Sequence, residues 1–279
     1  MKRLLALVAV LVVLVCATGA RADADSATHY NVSLGDSLAA SFQPNGDFTH
    51  GYAEQLYATL AAVDPKLELV KLGCGGESTA SMRFGSQLPS VVLSCGTPRY
   101  YKHVLYPKGT QLAEAVSLLE AHKGKVAVVT IDIGANDLSR LDAQGNVVSC
   151  LFESDGCGTQ TAAMAQNLAA ILAELRAAAG PDVPIVGMTY YDVFAPLCVS
   201  DASYLFVCSR VDAVNAVIAD VYAAAGVLVA DVAGAFENGV LANAAVNVCA
   251  WTWFCSLGDI HANTAGYGVI ARAFADVLP

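Results

Sequence analysis

Residues 30–40 read Tyr30-Asn31-Val32-Ser33-Leu34-Gly35-Asp36-Ser37-Leu38-Ala39-Ala40. The alternating first half predicts a strand, Gly35-Asp36-Ser37 predicts a sharp turn, and the last residues favour a helix. A serine at such a corner has an exposed hydroxyl, and nearby backbone N–H groups and the positive helix end can stabilise negative charge. Serine is also an ordinary helix N-cap, so the case for Ser37 as a nucleophile depends on the rest of the chain.

The N-terminus has the pattern of a secretory signal peptide. Lys2 and Arg3 precede an apolar run over residues 4–15, and small residues follow, with cleavage predicted after Ala22 and, as an alternative, after Ala24. The apolar run is too short to span a membrane comfortably. We therefore predict a signal peptide over residues 1–22 and a secreted, extracellular protein.

The mature chain, residues 23–279, is strongly acidic. Cleavage after Ala22 removes three basic residues and no acidic one, which changes the formal net charge from −10 to −13. This charge disfavours nucleic acid and anionic membranes as partners, and the sequence predicts no stable membrane insertion. The length suits one catalytic domain without an internal linker, and we expect a monomer.

The mature chain has an even number of cysteines, which in an exported protein indicates disulfides rather than a metal site. Sequence alone cannot choose among about 100 pairings. Pairing successive neighbours, so that each bond closes one loop, predicts 74–95, 150–157, 198–208 and 249–255. No Cys-x-x-Cys or His-x-x-x-His spacing supports zinc, and no metal is expected. The eight residues are Cys74, Cys95, Cys150, Cys157, Cys198, Cys208, Cys249 and Cys255.

Five apolar strand segments alternate with helical segments along the chain. Strands are predicted within residues 30–34, 67–72, 126–133, 183–190 and 227–232, and helices over 52–63, 110–121, 161–179, 209–225 and 263–278. The polar segment 142–158 is predicted to be a surface loop. This alternation predicts an α/β fold in which a parallel sheet carries helices on both faces, a three-layer α/β/α sandwich.

Polar corners follow the first three strands, and a histidine stands near the C-terminus. In a parallel sheet these strand ends share one edge, where open α/β sheets place their chemistry. Acyl transfer needs a nucleophilic oxygen, a base, and donors aimed at the oxygen that becomes negative. Ser37 supplies the first and His261 the second, while the N–H of Gly76 and the side-chain amide of Asn136 supply the third.

This set of residues, in this order, closely resembles the SGNH or GDSL family of secreted esterases and lipases. Each block of the match is weak alone, whereas four in order with similar spacing are specific. The match covers residues 35–267. It comprises a serine block, Gly35-Asp36-Ser37-Leu38; a glycine block, Gly76 before Glu77-Ser78-Thr79; an asparagine block, Gly134-Ala135-Asn136-Asp137; and a histidine block near the C-terminus.

The resemblance implies a flavodoxin-like sheet of five strands in the order 2-1-3-4-5 and no cofactor. It also implies a tetrahedral intermediate held by the N–H groups of Ser37 and Gly76 and by Asn136. Cys74 with Cys95 looks like the disulfide arrangement of actinobacterial members.

One departure from the family pattern concerns the acid that orients the histidine. The family usually has this acid three residues before the histidine, and here that position is Gly258. Asp259 stands two residues before His261, and Ala262 replaces the usual proline. Either the Asp259 side chain reaches the imidazole, or a main-chain carbonyl from residues 257–259 orients the ring and leaves a Ser–His dyad.

Several other residues have structural explanations. Asp36 is expected to fix its turn by accepting backbone amides rather than to act as a base. Tyr190 and Tyr191 either line an acyl pocket or pack as buried aromatics, and residues 251–254 form either an exposed lip for an apolar substrate or part of the core. No role in the reaction is expected for the remaining histidines, His29, His50, His103 and His122.

The sequence thus predicts a secreted serine esterase or lipase whose partner is a small-molecule or lipid ester. Two alternatives remain open. One is a carbohydrate acetyl esterase of the same fold, and the other is a non-catalytic secreted binding protein.

Overall fold

A parallel five-stranded sheet forms the centre of the computed structural model, which describes residues 28–85, 106–141, 144 and 147–279. The strands are β1 (His29–Gly35), β2 (Leu67–Lys71), β3 (Val126–Asp132), β4 (Ser139–Leu141), β5 (Val147–Ser149), β6 (Ile185–Met188) and β7 (Leu228–Ala230). The sheet has the order β2-β1-β3-β6-β7, while β4 and β5 form a separate antiparallel hairpin. Without the hairpin, the order is 2-1-3-4-5, as the family resemblance implied.

Helices cover both faces of this sheet. The α-helices are α1 (Tyr52–Ala61), α2 (Thr79–Phe84), α3 (Gln111–Ala121), α4 (Gly158–Ala179), α5 (Ala195–Ser200), α6 (Leu205–Ala224), α7 (Val232–Ala235), α8 (Leu241–Trp251), α9 (Phe254–Leu257) and α10 (Thr264–Ala275). Short 3₁₀ helices occupy Ala135–Leu138, Cys150–Phe152 and Ala202–Tyr204. Apolar residues of α2, α3, α4 and α6 pack on one face, and those of α1, α7, α8 and α10 pack on the other. The predicted α/β/α sandwich is confirmed.

The central strands are buried on both faces because their side chains alternate between the two cores. In β3, Val129 and Ile131 face the core under α4, and Val128 faces the core under α1 and α10. The parallel register pairs Gly35 at the end of β1 with Asp132 at the end of β3. The turn that carries Ser37 therefore emerges beside the loop that carries Asn136.

The helix predicted after the Gly35-Asp36-Ser37 turn does not form. Residues 37–41 make successive turns, and Ser41 adopts a left-handed φ of 63°. Tertiary contacts outweigh local helix preference there, because the buried Ser41 hydroxyl donates to Glu54 at 2.6 Å and accepts from Lys71 at 2.7 Å. Ser37 thus lies in a turn rather than at a helix N-terminus, so no helix end contributes positive charge at this position.

The surface loop predicted over residues 142–158 is contradicted in its described part, residues 144 and 147–158, which contains regular structure and buried side chains. Strand β5 and the 3₁₀ helix Cys150–Phe152 lie within it, and Cys150, Leu151 and Cys157 are buried in the core. The prediction failed because these side chains are buried by tertiary packing. The polar residues around them show no helical or strand periodicity that would reveal it.

Three of the four predicted disulfides lie among the described residues. Cys150–Cys157, Cys198–Cys208 and Cys249–Cys255 each close a loop of ten residues or fewer. Asp192 lies close to Cys198 and Cys208, but both sulfurs are in the disulfide and so are not thiolate ligands. The predicted 74–95 bond involves Cys95, which lies outside the described residues.

By length and composition alone, the segment Ala202–Ala224 could cross a membrane. A third of the residues in its most apolar 18-residue stretch is buried. One side of the helix packs into the core through Val207, Val214, Ile218 and Tyr222. This packing is what a core helix of a globular domain shows.

Candidate active site

Three of the predicted residues form a continuous hydrogen-bonded chain. Ser37 Oγ lies 2.8 Å from His261 Nε2, and His261 Nδ1 lies 2.7 Å from Asp259 Oδ1. Ser37 and His261 are 224 positions apart in sequence, so this contact depends entirely on the fold. All three side chains are half-buried, which leaves the serine hydroxyl accessible.

The protonation pattern of this chain follows from its partners. Partial burial raises the pKa of Asp259, but hydrogen bonds from the imidazole and the backbone N–H of His261 outweigh burial, and the net pKa is lowered. Asp259 is therefore a carboxylate that only accepts. His261 Nδ1 must carry the proton that it donates, which leaves Nε2 free to accept the Ser37 hydroxyl hydrogen.

The loop that carries His261 is fixed on several sides. Trp253 N–H donates to His261 O at 3.0 Å, and Tyr191 donates its hydroxyl to Ile260 O at 2.7 Å. The Cys249–Cys255 disulfide closes the loop that contains Trp253. Gly258, where the family usually has its acid, instead ends α9 with a left-handed φ of 67°, and the chain then brings Asp259 to the imidazole.

The turn before Ser37 is equally constrained. Gly35 has a φ of 137°, and a Cβ there would lie 2.1 Å from the carbonyl oxygen of Asp132, so only glycine fits. The buried Gln111 side chain accepts Gly35 N–H at 2.6 Å and donates to Gly35 O at 3.0 Å. Asp36 accepts Leu38 N–H at 2.9 Å, which confirms that it fixes the turn.

A pair of buried carboxyl groups lies beside the turn that carries Ser37. Burial raises the pKa of both Asp36 and Asp132, and the proximity of Asp36 raises that of Asp132 further. Tyr52 donates to Asp132 Oδ1 at 2.5 Å, and Tyr190 donates to Asp36 Oδ2 at 3.2 Å. Burial and the repulsion between two like charges thus both favour the protonated form of Asp132.

Two backbone N–H groups are available for an oxyanion. Within the part of the chain that the structure describes, neither Ser37 N–H nor Gly76 N–H has a hydrogen-bond acceptor. The loop carrying Gly76 is tied to the loop carrying Asn136, because Asp137 accepts the backbone N–H of Thr79 at 2.9 Å and its hydroxyl at 2.5 Å. These ties hold the glycine and asparagine blocks at the same sheet edge.

Asn136 lies between the other two blocks. Its Nδ2 donates to Glu77 O at 3.0 Å, and a second, longer contact of 3.4 Å reaches Asp36 Oδ2. One N–H is thus committed to the backbone next to Gly76. The second N–H of the amide makes only the long contact with Asp36, the residue before Ser37. A negatively charged substrate oxygen can replace this weak contact.

The remaining candidates from the sequence make no hydrogen bond to the Ser37, His261 or Asp259 side chains among the described residues. Tyr191 is buried and stacks on Phe236 at 4.5 Å, as a packed aromatic. Trp251 packs against Phe236 at 5.2 Å, and the 251–254 segment is partly buried rather than a fully exposed lip. His29 pairs with Asp64, His50 pairs with Asp47, the ring of His122 packs against that of Tyr30, and His103 lies outside the described residues.

Sequence reasoning missed residues that support the site from elsewhere in the chain. Gln111, Asp132 and Tyr52 stand in ordinary helical or strand patterns, and only the fold brings them to the nucleophile turn. Phe42, whose ring centroid lies 4.4 Å from that of His261, was likewise not singled out. A polar residue at the end of a buried apolar strand, such as Asp132, is the one signal that marks this set in the sequence.

The model of the GDSL-like lipase/acylhydrolase family matches residues 33–269, most of the chain. A search of curated proteins gave no significant match.

Solved structures share the fold over almost the whole chain. Phospholipase A1 from Streptomyces albidoflavus NA297 is 18% identical, with a TM-score of 0.53, 90% of this chain and 100% of that chain covered. The lipase Lip_vut3 from a goat rumen metagenome is 14% identical, with a TM-score of 0.54, 90% of this chain and 97% of that chain covered. The acetyl xylan esterase AlAXEase is 15% identical, with a TM-score of 0.53, 90% of this chain and 100% of that chain covered. At these identities the likeness concerns the fold alone.

Proposed function

Because this chain belongs to the GDSL-like lipase/acylhydrolase family and is a carboxylic ester hydrolase, we propose that it is a secreted serine esterase or lipase that forms an acyl-enzyme on Ser37. The observation that carries the proposal is the chain of contacts from Ser37 Oγ through His261 to Asp259, at 2.8 and 2.7 Å. These distances suit direct proton transfer between nucleophile and base.

In the first half of the reaction, Ser37 Oγ attacks the ester carbonyl carbon while His261 Nε2 takes the hydroxyl proton. The carbonyl oxygen becomes negative and is bound by the N–H groups of Ser37 and Gly76 and by Asn136. Asp259 stabilises the imidazolium that forms and keeps Nε2 directed at the serine. The imidazolium then protonates the departing alcohol, and the acyl group remains on Ser37.

In the second half, water attacks the acyl-enzyme. His261, neutral again, accepts a proton from that water as it forms the second tetrahedral intermediate, in the same oxyanion site. Collapse of the intermediate returns the proton to Ser37 Oγ and releases the carboxylic acid. These steps require no cofactor.

Asp259→Asn tests the proposed orienting acid. The amide offers a donor as readily as an acceptor toward Nδ1 and carries no charge, so the wrong tautomer is favoured and the imidazolium loses its counter-ion. We expect kcat to fall on the order of 10³-fold or more, with little change in KM.

A matched control for this substitution is Asp64→Asn, which breaks the Asp–His pair with His29 at 2.6 Å on the other edge of the sheet. The control should leave turnover of a p-nitrophenyl ester unchanged. Full activity of the Asp259→Asn enzyme would instead favour a Ser–His dyad oriented by a main-chain carbonyl.

Asn136→Ala tests the proposed oxyanion donor. Removing one preorganised donor costs on the order of 100-fold or more in kcat. The control is Asn247→Ala, which removes a half-buried amide that donates to the carbonyl of Phe236 and has no contact with Ser37, Gly76 or Asn136 among the described residues. Steady-state kinetics with one ester should separate the two variants, and equal rates in both would exclude Asn136 from the oxyanion site.

Secretion is part of the proposal. The N-terminal sequence supports it, and three short-range disulfides are compatible with an extracellular protein. N-terminal sequencing of the protein recovered from the culture medium of its host should begin at residue 23 or 25. Retention of the full-length chain inside the cell would contradict it.

A hydrolysis panel separates the ester classes that this fold serves. It runs from acetyl to palmitoyl p-nitrophenyl esters, with a phospholipid and acetylated xylan beside them. We expect turnover of the simple esters, and preference for acetylated xylan over every other substrate would identify a carbohydrate esterase instead.

A further inference from the structure

Four aromatic rings form a row on the described surface. Phe254 lies 6.1 Å from Phe194, Phe194 lies 5.1 Å from Phe152, and Phe152 lies 6.5 Å from Tyr204, measured between ring centroids. All three pairs meet edge to face. We call these four residues the aromatic row.

The aromatic row is held by separate cross-linked loops. Phe152 lies in the loop closed by Cys150–Cys157, Tyr204 in the loop closed by Cys198–Cys208, and Phe254 in the loop closed by Cys249–Cys255. Phe194 follows β6 and precedes α5. Three disulfides thus hold rings from distant parts of the sequence against one another. The rings remain partly accessible to solvent: Phe152 is 42% exposed, and the others are half-buried.

The row is connected to the catalytic residues at its Phe254 end. Trp253, the preceding residue, donates its backbone N–H to His261 O at 3.0 Å. Leu257 and Ile260, on either side of Asp259, are 61% and 50% exposed, so the surface beside the catalytic acid is also apolar. The loop of Phe194 begins at Tyr190, whose hydroxyl donates to Asp36 next to the nucleophile.

We propose that the aromatic row is the subsite for the acyl chain of the substrate, and that the preferred substrates are esters of long linear fatty acids. This inference rests on the proposed function, because the chain must be that of an acyl group on Ser37. Aromatic edges and faces bury alkyl groups well, and the row is partly exposed and includes Phe254, which directly follows the residue bonded to the carbonyl of His261. A sugar ester would instead need polar partners along the same path.

The test compares Phe152→Ala with the wild-type enzyme on decanoyl and acetyl p-nitrophenyl esters. Withdrawing one methylene group from water is worth about fourfold, so losing the contact of two or so methylenes should lower the decanoyl-to-acetyl ratio of kcat/KM on the order of tenfold. Phe152→Leu keeps an apolar side chain and should restore most of the ratio, which a merely structural role of the ring would not explain.

A matched control is Phe206→Ala. Phe206 is also 42% exposed, but its ring lies under the guanidinium of Arg210 and belongs to no pair in the aromatic row. Its removal should leave the ratio unchanged. An unchanged ratio in Phe152→Ala, with both esters still hydrolysed, would overturn the acyl subsite alone, whereas a wild-type enzyme that hydrolyses no ester would overturn the proposed function and the subsite together.

Discussion

Replacing Ser37 with alanine should abolish hydrolysis of p-nitrophenyl esters and leave the fold intact. The substitution removes the proposed nucleophilic oxygen, and we expect kcat to fall on the order of 10⁶-fold. The Ser37 side chain is half-exposed and its hydroxyl contacts only His261 Nε2 among the described residues. Losing it should therefore change the melting temperature little.

The control for this variant is Ser200→Ala, which removes an exposed hydroxyl that donates to the carbonyl of Leu197 on α5. The control should retain full turnover. Circular dichroism and thermal unfolding of both proteins show whether a loss of activity reflects chemistry or folding. Appreciable turnover by a pure Ser37→Ala protein would mean that another group is the nucleophile.

Replacing His261 with glutamine should have an effect nearly as large. Glutamine keeps a polar side chain of similar length but has no group that can accept the Ser37 proton and return it to the leaving alcohol. We expect kcat to fall on the order of 10⁴- to 10⁶-fold. Because nucleophile and base act as one unit, the double variant with Ser37→Ala should be scarcely worse than either single variant.

A histidine outside the proposed catalytic centre serves as the comparison. His29→Gln breaks the pair with Asp64 near the start of β1, far from the nucleophile along the strand, and should not change kcat. If His29→Gln and His261→Gln lose activity equally, His261 has no special role. If the double variant multiplies the two single losses, Ser37 and His261 do not act together.

The fold was largely predictable from the sequence because the buried strands are apolar runs and the helices end at recognisable glycine and proline residues. The run Val126–Asp132 is apolar and β-rich, as expected for a central parallel strand. The helix Gly158–Ala179 ends at Gly180, where the predicted helix also ends. The turn over residues 37–41 was mispredicted because the burial of Ser41 against Glu54 and Lys71 is a tertiary effect.

The candidate site was predictable where its residues sit at strand ends or in family blocks. Ser37, Gly76 and Asn136 follow consecutive strands of the sheet, and parallel topology brings such ends together. His261 was predicted as the base because a histidine stands near the C-terminus, and its family block agrees with that assignment. The sequence does not decide whether the Asp259 side chain contacts the imidazole. That contact depends on the left-handed turn at Gly258, which residue spacing alone does not specify.

The supporting residues were not predictable, because each is placed by tertiary packing. Gln111 reaches Gly35 from a helix 76 positions away, and Tyr52 reaches Asp132 from 80 positions away. The pairing of the aromatic rings likewise follows from how three cross-linked loops pack. No local pattern of residue types encodes these contacts.

The most direct measurement is covalent labelling with a fluorophosphonate, followed by mass spectrometry of the intact protein and of its peptides. Only a serine activated by a neighbouring base is captured efficiently. Wild-type protein should gain one adduct, located on Ser37, and the His261→Gln variant should label far more slowly. A wild-type protein that stays unlabelled, or that carries its adduct on another residue, would contradict the proposed catalytic centre.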